Sequence, residues 1–341
     1  MGERLVIRRQ IAKPIRIART PPTPSPSLKG RGVLTALLLL AGCASSTHPA
    51  PPPPAPPATE APPPPAMAYL YGSAEAAALS EQAYNGLTAY VRAALGKARD
   101  ARGRLPHERP AGTLPRWGAS AVLAPGATAA TPAALACGRQ PPAVVLDMDE
   151  TAVLNLGYEY NDARTGQGYD PKRWDRWERT GATAVAAAPG AVAAFRQLRA
   201  MGVTTVVNSN RSAANAADTA AALKVAGLGD FVHGETLFLK GDADGKSGKD
   251  GRRLAIAERY CVLALAGDQL GDFADLFNPP GQAPVRGRRA LASVTPLAAR
   301  WGNGWFVLPN PVYGTGLGAG WDEAFPTDKR WSDTPPATGE R

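Results

Sequence analysis

The sequence predicts an α/β fold in which a parallel sheet is covered by helices on both faces. From residue 143 onward, short apolar runs alternate with segments of helical periodicity, and this alternation is typical of parallel strands joined by helices. Polar residues directly follow several of these apolar runs. Ligand sites of such sheets lie at the carboxyl ends of the strands, so these polar residues are the candidates for a functional site.

The predicted elements follow in chain order. The first is a helix over residues 74–97, whose apolar side chains recur near helical spacing, and a looser segment rich in Pro, Gly and Ala extends to about residue 140. Strands are then predicted at 143–148, 203–208, 236–239, 261–266 and 305–308, and helices at 190–201, 213–226 and 249–260. Gly202 is the predicted C-terminal stop of the 190–201 helix.

The net charge of the chain is concentrated at its start. Of the formal +9, the first 32 residues carry +7, because eight Lys and Arg residues face a single acid there, and the remainder carries +2. A nucleic-acid groove on the folded part would need positive charge in that part. The distribution therefore argues against a nucleic-acid polymer as a partner.

Residues 1–43 are predicted to form an export signal that ends in a lipidated cysteine. The basic stretch is followed at 33–42 by the apolar run VLTALLLLAG, which is too short to span a bilayer as a mature helix. The run ends in LAG before Cys43 and resembles the bacterial lipobox. Lipid on Cys43 would anchor the protein in the cell envelope, and Ala44 next to it favours the outer membrane of a Gram-negative bacterium. A buried apolar segment with an incidental cysteine is the alternative.

Residues 44–67 are predicted to be an extended tether. Pro and Ala dominate this segment, and no apolar period in it would form a core. Such a composition favours polyproline II structure, which would hold a domain away from a membrane surface. A ligand for an SH3-type domain is the alternative. The folded domain is expected over residues 68–335.

Four polar groups mark the ends of predicted strands and the start of one predicted helix. They are DMDET at 147–151, NSNR at 208–211, KSGK at 246–249 and GDQLGDF at 267–273. An Asp pair after a strand is often only a helix N-cap. All four groups in order, each at the end of an element, instead predict one cleft that combines carboxylates, a hydroxyl and a lysine.

The chemistry of this cleft suits phosphoryl transfer. Asp147 is the predicted nucleophile, and Asp149 would protonate the leaving oxygen and then activate water. Lys249 would offset negative charge, while Ser209 would donate to the phosphoryl oxygens. Because a phosphate ester repels an anionic nucleophile, the site also needs a hard cation on oxygen ligands, and Mg²⁺ is the expected metal.

The four groups resemble the motifs of the haloacid dehalogenase (HAD) superfamily. More closely, the chain from about residue 69 to 321 resembles the class C nonspecific acid phosphatases, also called the lipoprotein 5′-nucleotidase family. The resemblance includes QAY at 82–84, WDRW at 174–177, PGA at 189–191, Arg252, LPN at 308–310 and YG at 313–314. The second aspartate of DMDET, which the dehalogenases themselves lack, favours a phosphatase.

The resemblance implies roles for individual residues. It makes Asp147 the nucleophile and lets Asp149 bind the metal through its backbone carbonyl while acting as acid and base. It places Ser209 on the phosphoryl group, where threonine is common, and gives Lys249 the charge-stabilising role. The implied metal ligands are Asp147, Asp149, Asp268 and Asp272, and the candidate substrate-binding residues are Asn210, Arg211 and Tyr313.

In this superfamily, segments inserted after the first motif cap the site and select the substrate. The cap is expected to comprise about 68–100 and 152–188, of which the second carries five aromatic residues: Tyr158, Tyr160, Tyr169, Trp174 and Trp177. With Tyr313 they would stack a nucleobase. A small core of the cap itself is the alternative.

The resemblance also implies that two strands are neighbours in the sheet. One of them follows Cys137, and the other begins at Cys261. A disulfide between these cysteines suits an oxidising compartment, and two separately buried thiols are the alternative. The expected function is a secreted, lipid-anchored phosphomonoesterase, with 5′-nucleotides among its candidate substrates. A surface binding lipoprotein with a vestigial phosphatase site is the rival.

Overall fold

The computed structural model describes residues 61–98, 104, 117–243, 245–279, 285–294 and 296–333. The expected export signal, Cys43 and most of the tether lie outside these residues. In the described part of the chain, no helix is both long and apolar enough to cross a membrane.

The described elements form an α/β domain. The helices are α1 (Pro65–Gly72), α2 (Ala74–Lys97), α3 (Leu156–Thr165), α4 (Pro171–Thr180), α5 (Ala191–Ala200), α6 (Ala216–Val225), α7 (Asp250–Arg259), α8 (Val285–Val294) and α9 (Trp321–Ala324). The strands are β1 (Ala119–Leu123), β2 (Ala134–Ala136), β3 (Pro142–Leu146), β4 (Val153–Leu154), β5 (Ala186–Ala187), β6 (Thr204–Ser212), β7 (Leu237–Lys240), β8 (Cys261–Gly267) and β9 (Trp305–Val307). Thus α1 begins inside the last residues of the expected tether.

A five-stranded parallel sheet in the order β7-β6-β3-β8-β9 confirms the predicted fold class. The central strands β3 and β8 are buried along their whole length, which is why they read as continuous apolar runs. Val144 belongs to a core cluster that includes Phe195 of α5, whereas Val145 belongs to another that includes Ile256 of α7. Alternate side chains therefore enter two cores, one on each face of the sheet.

Beyond shifts of a few residues at the element ends, the structure differs from the prediction in two main ways. The looser segment before residue 140 contains an antiparallel hairpin of β1 and β2, whose few Ala-rich residues give little strand signal. Strand β6 also continues through the NSNR group to Ser212 and still pairs with β7 there. Within this strand the polar side chain of Asn208 accepts a 2.7 Å hydrogen bond from Arg252.

Cys137 and Cys261 form a disulfide, with their Cα atoms 5.3 Å apart. The structure thereby decides between the two alternatives left by the sequence. Cys261 begins β8, and its backbone N–H donates to the Pro141 carbonyl at 2.9 Å. The bond therefore lies at the amino ends of the strands, opposite the carboxyl ends where the polar groups gather.

Candidate active site

Three carboxylates meet at the carboxyl ends of β3 and β8. Asp147 directly follows β3, and its backbone N–H extends the sheet by donating to the Ala266 carbonyl at 2.9 Å. Asp268 directly follows β8, and Asp272 ends the short turn of 3₁₀ helix after it. One ligand atom from each carboxylate can be chosen so that all three atoms lie within 4.8 Å of one another. Strand ends thus gather charges that are far apart in sequence.

Lys249 is the cation within this acidic group. It lies at the amino end of α7, and its ammonium contacts Asp147 Oδ1 and lies 2.7 Å from Asp272 Oδ1. Burial opposes the charged form of Lys249, but the two neighbouring carboxylates outweigh this effect and raise its pKa. Burial and the charge of Asp272 raise the pKa of Asp147 well above its usual range, while Lys249 opposes that shift.

The donor set fits a hard divalent cation. Burial, followed by the charge of Asp272, raises the pKa of Asp268 to about 6. Like charges held close in a buried place disfavour ionisation of each other, and a divalent cation on carboxylate oxygens removes that cost. Asp268 is also held firmly, because Thr151, Gln269 and Asn310 donate to it at 3.0, 2.8 and 2.8 Å. Asp147, Asp268 and Asp272 are therefore suitable metal ligands.

The side chain of Asp149 is held by donors from neighbouring elements. Arg211 donates from Nε at 2.9 Å and from Nη2 at 2.8 Å to Asp149 Oδ1. Asn155 donates to the same oxygen at 3.1 Å, and Ser209 donates to Oδ2 at 3.3 Å. This arrangement fixes the direction of the carboxylate beside Asp147. It also shows Ser209 and Arg211 in contact with the second aspartate.

Asn155 connects the site to the cap. Its Oδ1 accepts from Trp177 Nε1 at 3.1 Å and from Arg211 Nη2 at 2.8 Å, and both partners are donors only. Its Nδ2 is consequently directed at the carboxylates of Asp149 and Glu150. Through Asn155, Trp177 thus supports the loop that carries Asp149 and Glu150. No local sequence pattern pairs Asn155 with Arg211, so the role of Asn155 could not be predicted from the sequence.

Glu150 is a further buried acidic residue of the site, for which the sequence predicted no role. Its backbone has a φ of 52°, an unusual conformation for a residue other than glycine. Its carboxylate accepts hydrogen bonds from the hydroxyls of Tyr71, at 3.2 Å, and Tyr313. Burial, followed by the charge of Asp149, raises the pKa of Glu150 to about 8. The position of Glu150 within the DMDET motif could have indicated a role for it, whereas no sequence pattern points to Tyr71.

A cavity of about 680 Å³ opens over these residues. Its lining includes seven of the predicted site residues: Asp147, Asp149, Asn210, Lys249, Asp268, Asp272 and Tyr313. Ser209 and Arg211 do not belong to this lining, since both are fully buried beneath it. Arg211 was expected on the substrate side, and the structure instead places it behind Asp149.

The aromatic residues of the cap divide between cavity and cap core. Tyr158, Tyr169 and Trp174 line the cavity. The rings of Tyr158 and Trp174 also pack edge to face with their centroids 4.9 Å apart. Tyr160 is 67% exposed and lies outside the lining. Three of the five rings are thus placed where they would contact a bound ligand.

Comparisons with known proteins agree with this architecture. The family model for HAD superfamily, subfamily IIIB (acid phosphatase), matches residues 119–316. The chain is 24% identical to the tungstate-bound class C acid phosphatase of Bacillus anthracis and 25% identical to another structure of that enzyme. Each match covers 74% of this chain and 86% of the other, with a TM-score of 0.54. No curated protein matches the chain.

Proposed function

The chain belongs to the acid phosphatases of HAD subfamily IIIB, and we propose that this phosphomonoesterase acts through an aspartyl-phosphate on Asp147 with Mg²⁺ as its metal. The contact of Asp147 with Lys249 in the cavity lining carries the proposal. Burial and Asp272 raise the pKa of Asp147, and the ammonium of Lys249 opposes that shift. Lys249 thereby favours the ionised form that a nucleophile requires.

In the first step, an Asp147 oxygen forms a bond to phosphorus while the bond from phosphorus to the leaving alcohol oxygen breaks. The alcohol leaves with a proton from Asp149. In the second step, Asp149 takes a proton from water, whose oxygen bonds to phosphorus and releases Asp147 and inorganic phosphate. The hydrogen bonds from Arg211 and Asn155 to Asp149 support this role, because they hold its carboxylate in one orientation.

Asp147, Asp268 and Asp272 would hold the Mg²⁺, and Asp149 would add its backbone carbonyl. Bound Mg²⁺ supplies charge that offsets the phosphoryl oxygens. Lys249 supplies a second positive charge, and its contacts with both Asp147 and Asp272 keep it in place. Lys249 thereby offsets part of the negative charge that the carboxylates bring to the site.

Hydrolysis of p-nitrophenyl phosphate with and without EDTA tests this proposal. We expect activity to be lost in EDTA and restored by Mg²⁺. Asp268→Ala should raise the Mg²⁺ concentration needed for half-activity, because one hard oxygen ligand is gone. An unchanged Mg²⁺ titration would place the ligand elsewhere. Absence of hydrolysis under all conditions would favour the rival, a binding protein with a vestigial site.

The cap rings favour nucleotides as one class of substrate. Tyr158, Tyr169 and Trp174 line the cavity, and an aromatic face stacks on any base. We expect AMP to have a higher kcat/KM than ribose 5-phosphate, which lacks the base, and Trp174→Leu to reduce that difference. Equal kcat/KM values for AMP and ribose 5-phosphate would mean that the enzyme does not recognise the nucleobase.

We also propose that the enzyme is exported and anchored by lipid at Cys43. The basic stretch, the apolar run and the small residues before Cys43 support this proposal. Cys43→Ala should release the protein from the membrane fraction or block its processing, with Ser46→Ala as the control next to the same site. Unchanged membrane association of Cys43→Ala would contradict the lipid anchor.

A further inference from the structure

Glu159 is a buried carboxylate at the cavity without a hydrogen-bond donor among the described residues. It lies on α3, is 6% exposed and lines the cavity. Glu178 on α4 is similarly buried but accepts from the backbone N–H of Ser212 at 3.0 Å and from Asn215 at 2.8 Å. Burial of a charge without a partner is costly. The oxygens of Glu159 are not among the fully buried, unpartnered side-chain atoms of the described residues, so its carboxylate reaches the cavity, where a bound group would pair with it.

Glu159 lies at the catalytic end of the cap. Burial, followed by the charge of Asp162, raises its pKa to about 7, Arg173 opposes that shift, and Asp149 adds to it. Glu159 in turn raises the pKa of the Tyr71 hydroxyl, although burial and Glu150 have larger effects there. Asp149 and Glu159 also line the same cavity. A group bound at Glu159 would therefore share the cavity with the Asp149 carboxylate.

The surroundings of Glu159 combine aromatic rings with a carboxylate whose ionised form Arg173 favours from a distance. The guanidinium of Arg173 lies 4.8 Å from the Tyr158 ring centroid, and that of Arg211 lies 5.7 Å from the Trp174 ring centroid, so these rings already attract cations. Tyr158 precedes Glu159, and the rings of Tyr169 and Trp174 line the same cavity. Asp162 also lines the cavity, but Arg173 forms an ion pair with it at 2.5 Å. The carboxylate of Glu159 has no such ion pair among the described residues. We name Tyr158, Glu159, Tyr169 and Trp174 the cap subsite.

We propose that the cap subsite binds the leaving group of phosphomonoesters whose alcohol carries a quaternary ammonium group. Aromatic faces and a carboxylate attract such cations, and the attraction increases where water is excluded. The cation would also supply the missing partner of Glu159. The inference rests on the proposed function, because it concerns the alcohol that leaves when Asp147 takes the phosphoryl group. Water and the ester would yield inorganic phosphate and the ammonium alcohol.

The test compares phosphocholine with 3,3-dimethylbutyl phosphate, a neutral ester of nearly the same shape. With the Mg²⁺-loaded wild-type enzyme at pH 7.5, we expect kcat/KM to be roughly tenfold higher for phosphocholine. Glu159→Gln keeps the size of the side chain and should bring the ratio of the two values close to one. Asp218→Asn removes the same charge from α6, outside the cavity lining, and should preserve the ratio.

The outcomes separate this inference from the proposed function. If p-nitrophenyl phosphate is hydrolysed but the wild-type ratio is near one, or if Glu159→Gln leaves a high ratio unchanged, the cap subsite does not select cations. The inference also fails if the enzyme hydrolyses p-nitrophenyl phosphate but neither phosphocholine nor 3,3-dimethylbutyl phosphate. If no ester is hydrolysed, the proposed function fails instead. Should Glu159→Gln not fold, inhibition of the wild type by choline must exceed inhibition by 3,3-dimethylbutanol for the inference to stand.

Discussion

Lys249 and Asp147 form a buried ion pair although 102 residues separate them in the sequence. The parallel sheet brings the end of β3 next to the end of β8, and Lys249 reaches this point from the start of α7. The same ammonium also binds Asp272. Asp147 is thus held by a residue that cannot move without disturbing a second carboxylate.

Asp147→Asn should abolish most activity while the fold is kept. The amide has nearly the same shape but cannot form the covalent intermediate, so kcat should fall on the order of a thousandfold, or about 4 kcal/mol of barrier. Steady-state kinetics with p-nitrophenyl phosphate would measure the loss, with circular dichroism to confirm folding. A variant that retained more than a tenth of wild-type activity would show that another group attacks phosphorus.

Arg211→Lys should lower kcat with little change in KM. The guanidinium makes two close contacts with Asp149 Oδ1 and does not line the cavity, whereas lysine cannot form this two-nitrogen grip. A misdirected acid and base should reduce kcat about tenfold to a hundredfold and shift the pH profile of kcat. If KM rises instead while kcat is kept, Arg211 binds substrate as the sequence analysis expected.

Sequence reasoning could place Arg211 at the site but could not predict that it is buried outside the cavity lining, in contact with Asp149. It succeeded where strand order alone decides position: Asp147 and Asp268 each follow an apolar strand, and carboxyl ends of adjacent parallel strands share one edge. It failed where side chains pair over long separations. Tyr71 and Glu150 are 79 residues apart and leave no periodic pattern. Such contacts depend on packing between the cap and the sheet.

The metal-free enzyme should lose stability as the pH rises from 5 to 8.5. Burial raises the pKa values of Asp268, Glu159 and Glu150 to about 6, 7 and 8. A carboxyl with a raised pKa in the folded state contributes stability that is fully present below its unfolded pKa, roughly 4, and is lost as pH passes its folded pKa. Thermal denaturation in EDTA should therefore show Tm falling across this range.

Mg²⁺ should oppose that loss, and its stabilising effect should grow with pH as Asp268 ionises. Asp268→Asn is the informative variant, because it removes one of the titrating groups and one metal ligand together. Its Tm in EDTA should fall less between pH 5 and 7, and Mg²⁺ should raise it less. A wild-type Tm in EDTA that increased over this range would contradict the assigned direction of these pKa shifts.

Removal of the Cys137–Cys261 disulfide should reduce stability without altering catalysis. The bond joins residues 124 apart in sequence, so the chain-entropy treatment gives a contribution of about 4 to 5 kcal/mol. The double variant Cys137→Ala/Cys261→Ala should unfold at lower denaturant concentration, and treatment of the wild type with a reductant should act in the same direction. Because the bond lies at the amino ends of the strands, kcat/KM below the unfolding temperature should stay within about twofold of wild type. A large kinetic change in a folded variant would mean that the disulfide also sets the positions of Asp147 and Asp268 at the other end of β3 and β8.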